Sequence, residues 1–368
     1  MPNSKKKSLY YLLGNRSQIL PVGGDGINEL NQIKYLSRFF DVYYNNQLID
    51  LKRPNYNQFK TLIEPPNPGY DIYYVRNNPN IFKQVPQSKT KIYFASPFDE
   101  ECFTNSDFIA CPTESWRAML KVPSRNWGIL YPDYFATDNA IVLSQKLDPD
   151  LIYPMASTPN AFVSHGIPEK SFKICHFGSL RNSCFPSYFL RFYERIKSEI
   201  KEQISVIFLG ASPSSLTIPN NSKNFHFIPN IEFREINSYI NSSDMLLYNQ
   251  RDYQSEYAGS NKIIEAIVCE KPILSCRSAA RQDELGEAYP LFYDLSYKPP
   301  DDPHNSFDPN WIHEAEVDRC VGLIEQMVID PSFYDSVVDY LKALEKERFY
   351  NTYQDDPYVE RIISHTER

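Results

Sequence analysis

Short β-branched and aromatic runs alternate with helical patterns along most of the 368 residues. That alternation restricts the chain to βα units feeding parallel sheets, because a sandwich would show strand after strand with turns between. In the first half the spacing predicts strands at Ser8 to Leu13, Phe39 to Tyr44, Asp71 to Val75, Lys91 to Ala95, Phe108 to Cys111 and Trp127 to Tyr131. The first is followed by Gly23, Gly24, Asp25 and Gly26, and then by Ile27, Leu30, Ile33, Leu36 and Phe40, which keep roughly to one helical face. Those three glycines are drawn from only twelve in the chain, so the cluster stands out.

Between Asp148 and Lys170 the long apolar periods stop and Pro149, Pro154, Pro159 and Pro168 appear, the composition of a linker. A second α/β series follows, with strands expected at Phe172 to Phe177, Ile204 to Leu209, Phe225 to Ile228, Met245 to Tyr248 and Pro272 to Ser275. Helices are expected at Phe185 to Lys201, Glu232 to Ile240 and Asn261 to Cys269. A Pro- and Asp-rich stretch from Lys298 to Pro309 precedes helices expected at Glu314 to Val328 and Pro331 to Arg348. At roughly 150 residues per domain the length suggests two domains. We place them at 1–160 and 165–330, with 331–368 a helical segment that packs back on the first.

Hydrophobic residues make up 42% and charged residues 23%, ordinary globular usage, which excludes wholesale disorder. The 38 Lys and Arg against 46 Asp and Glu give a net charge of -8, the wrong sign for a nucleic-acid-coated chain. No run approaches the ~18 apolar residues that span a bilayer, and the apolar stretch Leu9 to Leu13 lacks a cleavage signal. The seven cysteines include no C-x-x-C pair, so a zinc site or disulfide framework is not expected, and a reducing cytoplasm is the predicted compartment. Cys111, Cys175, Cys269 and Cys276 lie in or beside apolar segments and read as small buried hydrophobes.

The segment from Glu256 to Leu274 carries the strongest chemical signal. Gly259, Ser260 and Asn261 stand where a loop becomes a helix, leaving unpaired amides and the positive end of the helix dipole as an anion site. Glu265 follows within the first turns, where a carboxylate can accept two hydrogen bonds from a ribose or simply complement the dipole.

This segment resembles the donor-site motif of GT-B glycosyltransferases, particularly the retaining group that includes glycogen and sucrose synthases. In that group an acid and a spacer precede Glu-Ala, a small-residue turn and a Pro-aliphatic strand, matched here by Glu265-Ala266 and Pro272-Ile273-Leu274. Glu256 takes the place of the first acid, although eight residues separate it from Glu265 where the group has seven. His176, Phe177, Gly178 and Arg181 resemble the group's glycine loop with its following Arg, and Gly24 and Gly26 resemble its N-terminal glycine loop. Pro186 stands where the group has a Lys, and Lys262 is the candidate for the displaced charge. The stretch from Asp107 to Ser115 resembles a strand emptying into a helix capped by Thr113 or Ser115.

The resemblance implies two Rossmann-like domains facing a cleft, and transfer of a sugar from a nucleoside-diphosphate sugar to a glycan or other hydroxyl acceptor. Neither a metal nor a separate cofactor is expected. Arg181, Lys262 and Glu256 would act on the reacting groups, while Gly24, Gly26, Gly178, Gly259, Ser260, Asn261 and Glu265 would hold the donor. Asp25 and Asp99 are candidates for activating the acceptor, and His176 is a further site candidate. No nucleic acid or membrane span enters this reading, which leaves peripheral membrane contact open. Asp148-Pro149-Asp150 matches the D-x-D metal pair of another transferase fold, but a Pro-rich setting marks it as a turn. Two alternatives stand beside transfer: a nucleotide-sugar epimerase on the same scaffold, and a non-catalytic nucleotide- or glycan-binding relative, motivated by the altered spacing and the absent Lys.

Overall fold

The structure is a computed structural model. It describes residues 6–13, 24–44, 47–48, 69–76, 78–94, 99–120, 137–156, 160–178, 187–210, 223–229, 231–248, 259–295 and 312–368. The chain divides into two units, Met1–Pro149 with Glu347–Arg368, and Asp150–Lys346.

The first unit is built on strands β1 (Ser8–Leu13), β2 (Asp41–Tyr44), β3 (Gln47–Leu48), β4 (Ile72–Arg76), β5 (Thr90–Phe94), β6 (Phe108–Cys111) and β7 (Ala140–Val142). Their order is β3-β2-β1-β4-β5-β6-β7, parallel throughout except for the antiparallel edge strand β3. The second unit holds β8 (Phe172–Phe177), β9 (Ile204–Leu209), β10 (Phe225–Ile228), β11 (Met245–Tyr248), β12 (Ile273–Cys276) and β13 (Phe292–Tyr293), all parallel. Strands such as β5 and β9 are buried along their whole length, as parallel strands covered on both faces are, which is why they read as mostly apolar runs interrupted only near their starts by Thr90, Lys91 and Ser205.

An aspartate sets the start of three neighbouring strand pairs. The amides of Ser8, Lys91 and Lys173 donate to Asp71, Asp107 and Asp244 at 2.9, 2.7 and 2.7 Å, each acid standing just before the adjacent strand. These bonds satisfy amides at the beginnings of the strands that would otherwise lack a partner.

Two parallel-sheet halves were expected and are present. Several local expectations need correction. Gly24, Asp25 and Gly26 form the first turn of the helix Gly24–Leu36 rather than a loop. The helix expected over 185–201 is two, Ser187–Arg195 and Ser198–Lys201, because the Lys197 amide turns out to Glu325 (2.9 Å) rather than back along the helix. The last long helix stops at Lys342. The strand expected at 127–131 lies outside the described residues.

The proline-rich stretch is no free linker. Tyr153 and Met155 donate their amides to Asn237 and Asn241 at 3.2 and 2.9 Å, and Ala161 donates to Ser242 at 3.0 Å, strapping it to the second unit. Asp148 is ion-paired with Lys34, consistent with a turn.

The chain's final helix, Pro357–Thr366, is capped by Asp356 and buries Val359 and Ile362 in the core cluster that contains Leu9, Ile72 and Ile92. Tyr35 donates its hydroxyl to Asp356 at 2.5 Å. Lys146 reinforces this return, its ammonium 2.6 Å from the Arg348 carbonyl and 4.5 Å from the centre of the Tyr35 ring. Burial pulls that ammonium's pKa down to about 8.

Candidate functional site

In the second unit the strand order is β10-β9-β8-β11-β12-β13, so chain progression reverses between β8 and β11. In open parallel sheets ligands collect outside the carboxyl ends of the strands at such a reversal. Here those ends are Phe177 with Gly178, and Tyr248.

Gly178 has φ +100°, the left-handed region where glycine is favoured. A Cβ at this position would stand 3.0 Å from Cε and 3.2 Å from Nζ of Lys262, so the absent side chain is what lets the lysine lie over the turn. Lys262 makes no ion pair among the described residues. It is nonetheless the charge sensed by both its neighbours. Burial first, and then Lys262, pull the His176 pKa down to about 3, so that ring is neutral throughout the physiological range. The Leu247 backbone favours its protonated form, yet neither ring nitrogen makes a hydrogen bond of standard geometry.

Glu265 lies on the helix Asn261–Val268 and is only 5% exposed. Burial pushes its carboxyl up to about 8, opposed by Lys262. No hydrogen bond acts on its carboxyl among the described residues, and the buried Oδ1 of Asn261 has no partner there either. Burying a carboxylate without a counter-charge or hydrogen bond is costly, which is why this group keeps its proton so far above the usual range.

The helix start has the same character. Ser260 is the N-cap, yet its hydroxyl does not cap, which leaves the first-turn amides of Asn261 and Lys262 without a side-chain capping oxygen among the described residues. The Ser260 amide donates instead to Glu284 Oε1 at 2.9 Å. The result is a positive, open helix end beside an unpaired ammonium, with a buried carboxyl one turn further in.

Comparison with solved structures follows this geometry. HepE from Anabaena in complex with UDP-glucose is 11% identical, aligns over 98% of this chain and 99% of its own, and gives a TM-score of 0.65. Sucrose-phosphate synthase from Thermosynechococcus elongatus is 11% identical over 98% of each chain, with a TM-score of 0.60. WaaG, a glycosyltransferase involved in lipopolysaccharide biosynthesis, is 12% identical over 98% of this chain and 99% of its own, at 0.59. The fold is GT-B. At such identities the likeness carries the fold alone. No family model and no curated protein matches the sequence.

Within this GT-B chain the second unit gathers Gly178, His176, Gly259, Ser260, Asn261, Lys262 and Glu265 at one end of its sheet. Arg181 and Glu256 lie outside the described residues. Gly24, Asp25 and Gly26 belong to the first unit, as does Asp99. Asp99 is occupied as an N-cap: its carboxylate accepts the Cys102 amide at 2.9 Å and faces Lys83 at 3.6 Å. Burial would raise its pKa, but the Cys102 amide and Lys83 outweigh that and hold it below the usual carboxylate range, which makes it a weak base. Thr113 caps its helix as expected, accepting the Trp116 amide at 3.1 Å.

Sequence reasoning missed Tyr248, Arg281 and Glu284. Their signal was present as an Arg281-x-x-Glu284 pair on a single helix face after β12, a spacing that brings the two side chains together.

Proposed function

We propose that the protein is a glycosyltransferase that binds a nucleoside-diphosphate sugar at the β8/β11 reversal and passes the sugar to a hydroxyl acceptor. The observation that carries this reading is the partnerless Glu265 carboxyl, buried one turn inside an uncapped helix start that also bears Lys262. A nucleoside diphosphate supplies what each group lacks. Its ribose hydroxyls satisfy Glu265, and its phosphates meet the amides of Asn261 and Lys262 and the ammonium. The fold shared with HepE, which is described with UDP-glucose, supports the donor class.

The protein's part in the reaction is to stabilise charge growing on the departing diphosphate. Lys262 and the helix amides are placed to do so without a metal, and Arg181, which follows the glycine turn in sequence, is a further candidate. Neutral His176 offers a hydrogen bond, with no proton to give at physiological pH. A glycan or another hydroxyl compound would be the acceptor, bound by the first unit.

Thermal unfolding with UDP, GDP and ADP, with and without a chelator, tests the reading. At ligand about 100 times Kd, stabilisation of about 2.7 kcal/mol is expected for at least one of them, unchanged by the chelator. No shift with any of the three would favour a relative that has lost its donor; a shift abolished by the chelator would remove metal independence. Release of free nucleoside diphosphate with sugar transfer separates this activity from epimerisation.

Gly178→Ala gives a smaller, more local test. The new methyl would displace Lys262 and force a left-handed backbone on alanine, at about 1–2 kcal/mol of stability. Weaker binding of the diphosphate with unchanged binding of the bare nucleoside is expected by calorimetry, and equal loss of both would place Lys262 away from the phosphates.

A further inference from the structure

Arg281 and Glu284 lie on the helix Ala279–Leu285 that follows β12. Arg281 is fully buried, with Nη1 2.7 Å from Glu284 Oε2 and its guanidinium 4.9 Å from the centre of the Tyr248 ring. The other Glu284 oxygen accepts the Ser260 amide at 2.9 Å. The backbone of the N-cap residue is thus held from outside its helix.

A buried ion pair is weak grounds for stability, since an apolar pair of similar volume often serves as well. This one has a second consequence. By taking the Ser260 amide, Glu284 fixes the N-cap residue from outside its helix, and among the described residues no side chain caps the next two amides. By pairing with Arg281, Glu284 also avoids presenting net negative charge beside an anion site.

We infer that Glu284, neutralised by an Arg281 that is itself seated over Tyr248, is a positioning residue that orients the Asn261 and Lys262 amides toward the donor's diphosphate. This rests on the donor reading above. Neither Arg281 nor Glu284 touches the donor in this scheme.

Two double variants separate positioning from simple support. Arg281→Met with Glu284→Gln removes both charges but keeps an oxygen for the Ser260 amide, whereas Arg281→Met with Glu284→Met removes the acceptor too. Thermal unfolding shows that each is folded, and calorimetry gives the Kd for UDP and for uridine. The first variant is expected to bind UDP about as the wild type does, and the second about tenfold more weakly, the size of one lost hydrogen bond of about 1–1.5 kcal/mol. Uridine, which lacks phosphates, should bind equally to all three.

Equal UDP binding by the two variants, or parallel loss of UDP and uridine in the second, overturns the positioning role while leaving the donor reading in place. A wild type that binds no nucleoside diphosphate overturns the donor reading and this role with it. Hydrogen exchange on the wild type keeps the test independent of variant folding. Without ligand the Ser260 amide should exchange far more slowly than those of Asn261 and Lys262, and UDP should slow those two selectively. Three amides exchanging alike would overturn the proposal.

Discussion

Replacing Lys262 with methionine should slow sugar transfer roughly a hundredfold to a thousandfold, the effect of removing one preorganised group of about 2.7–4 kcal/mol from a transition state that gathers charge. Methionine keeps the stem that packs over Gly178 and deletes only the ammonium, so the fold should be preserved. The loss should fall more on kcat than on donor affinity, because the diphosphate carries less charge on its bridging oxygen before the bond breaks than after. Single-turnover measurement with a saturating donor distinguishes this from slow product release. Near-normal transfer by Lys262→Met would remove the residue from the chemistry and leave Arg181 as the sequence's remaining cation.

Glu265 should show opposite effects on binding and on stability. Two hydrogen bonds to ribose, each worth roughly 0.5–1.5 kcal/mol for the neutral carboxyl and more once ligand binding ionises it, mean that Glu265→Ala should weaken nucleotide binding by about one to two orders of magnitude. Stability should move the other way in Glu265→Gln. With its pKa raised from 4.5 to about 8 in the folded protein, the wild-type carboxyl stays protonated between those values while the unfolded chain has already lost the proton. Folding stability from this group is therefore fully present below pH 4.5 and lost as pH rises toward 8, by up to about 1.4 kcal/mol per pH unit. Glutamine does not titrate. Its melting temperature should match the wild type near pH 4 and exceed it increasingly up to pH 8. Parallel melting profiles for the two proteins would show that Glu265 is solvated, and unchanged nucleotide affinity in Glu265→Ala would reduce it to a partner of the helix dipole.

Much of this was legible in the residues because parallel strands buried on both faces are largely apolar. β1, β6, β8, β9, β10 and β11 fall on the expected boundaries. Strands β3, β7 and β13 run for only two or three residues, too short for any period to register. Edge positions also misled: Phe39 and Phe40 look like strand but close the helix Gly24–Leu36, bonding back to the Leu36 carbonyl at 3.0 Å each. Where the resembled group has a small-residue turn before this strand, here Glu270 occupies the left-handed region at φ 58°. At the site, Glu265 and Lys262 were readable because helix position fixes where their side chains begin. The Gly178 to Lys262 approach was not, since it joins residues 84 positions apart through a sheet order that local spacing does not encode. Arg281 and Glu284 showed in the residues only as a same-face pair, because the amide that Glu284 reaches lies at the start of another helix.

The return of the chain at Glu347 has a consequence for how the protein is made. The first unit needs the helix Pro357–Thr366 for its core, yet the whole of the second unit is encoded in between. A ribosome adding about 5–20 residues per second therefore completes the second unit while the first still exposes the surface that Val359 and Ile362 will cover. During those tens of seconds the nascent first half is an unfinished sheet, open to chaperones and to its own kind. The later-coded unit matures first, and the earlier-coded one waits for its last helix to leave the exit tunnel.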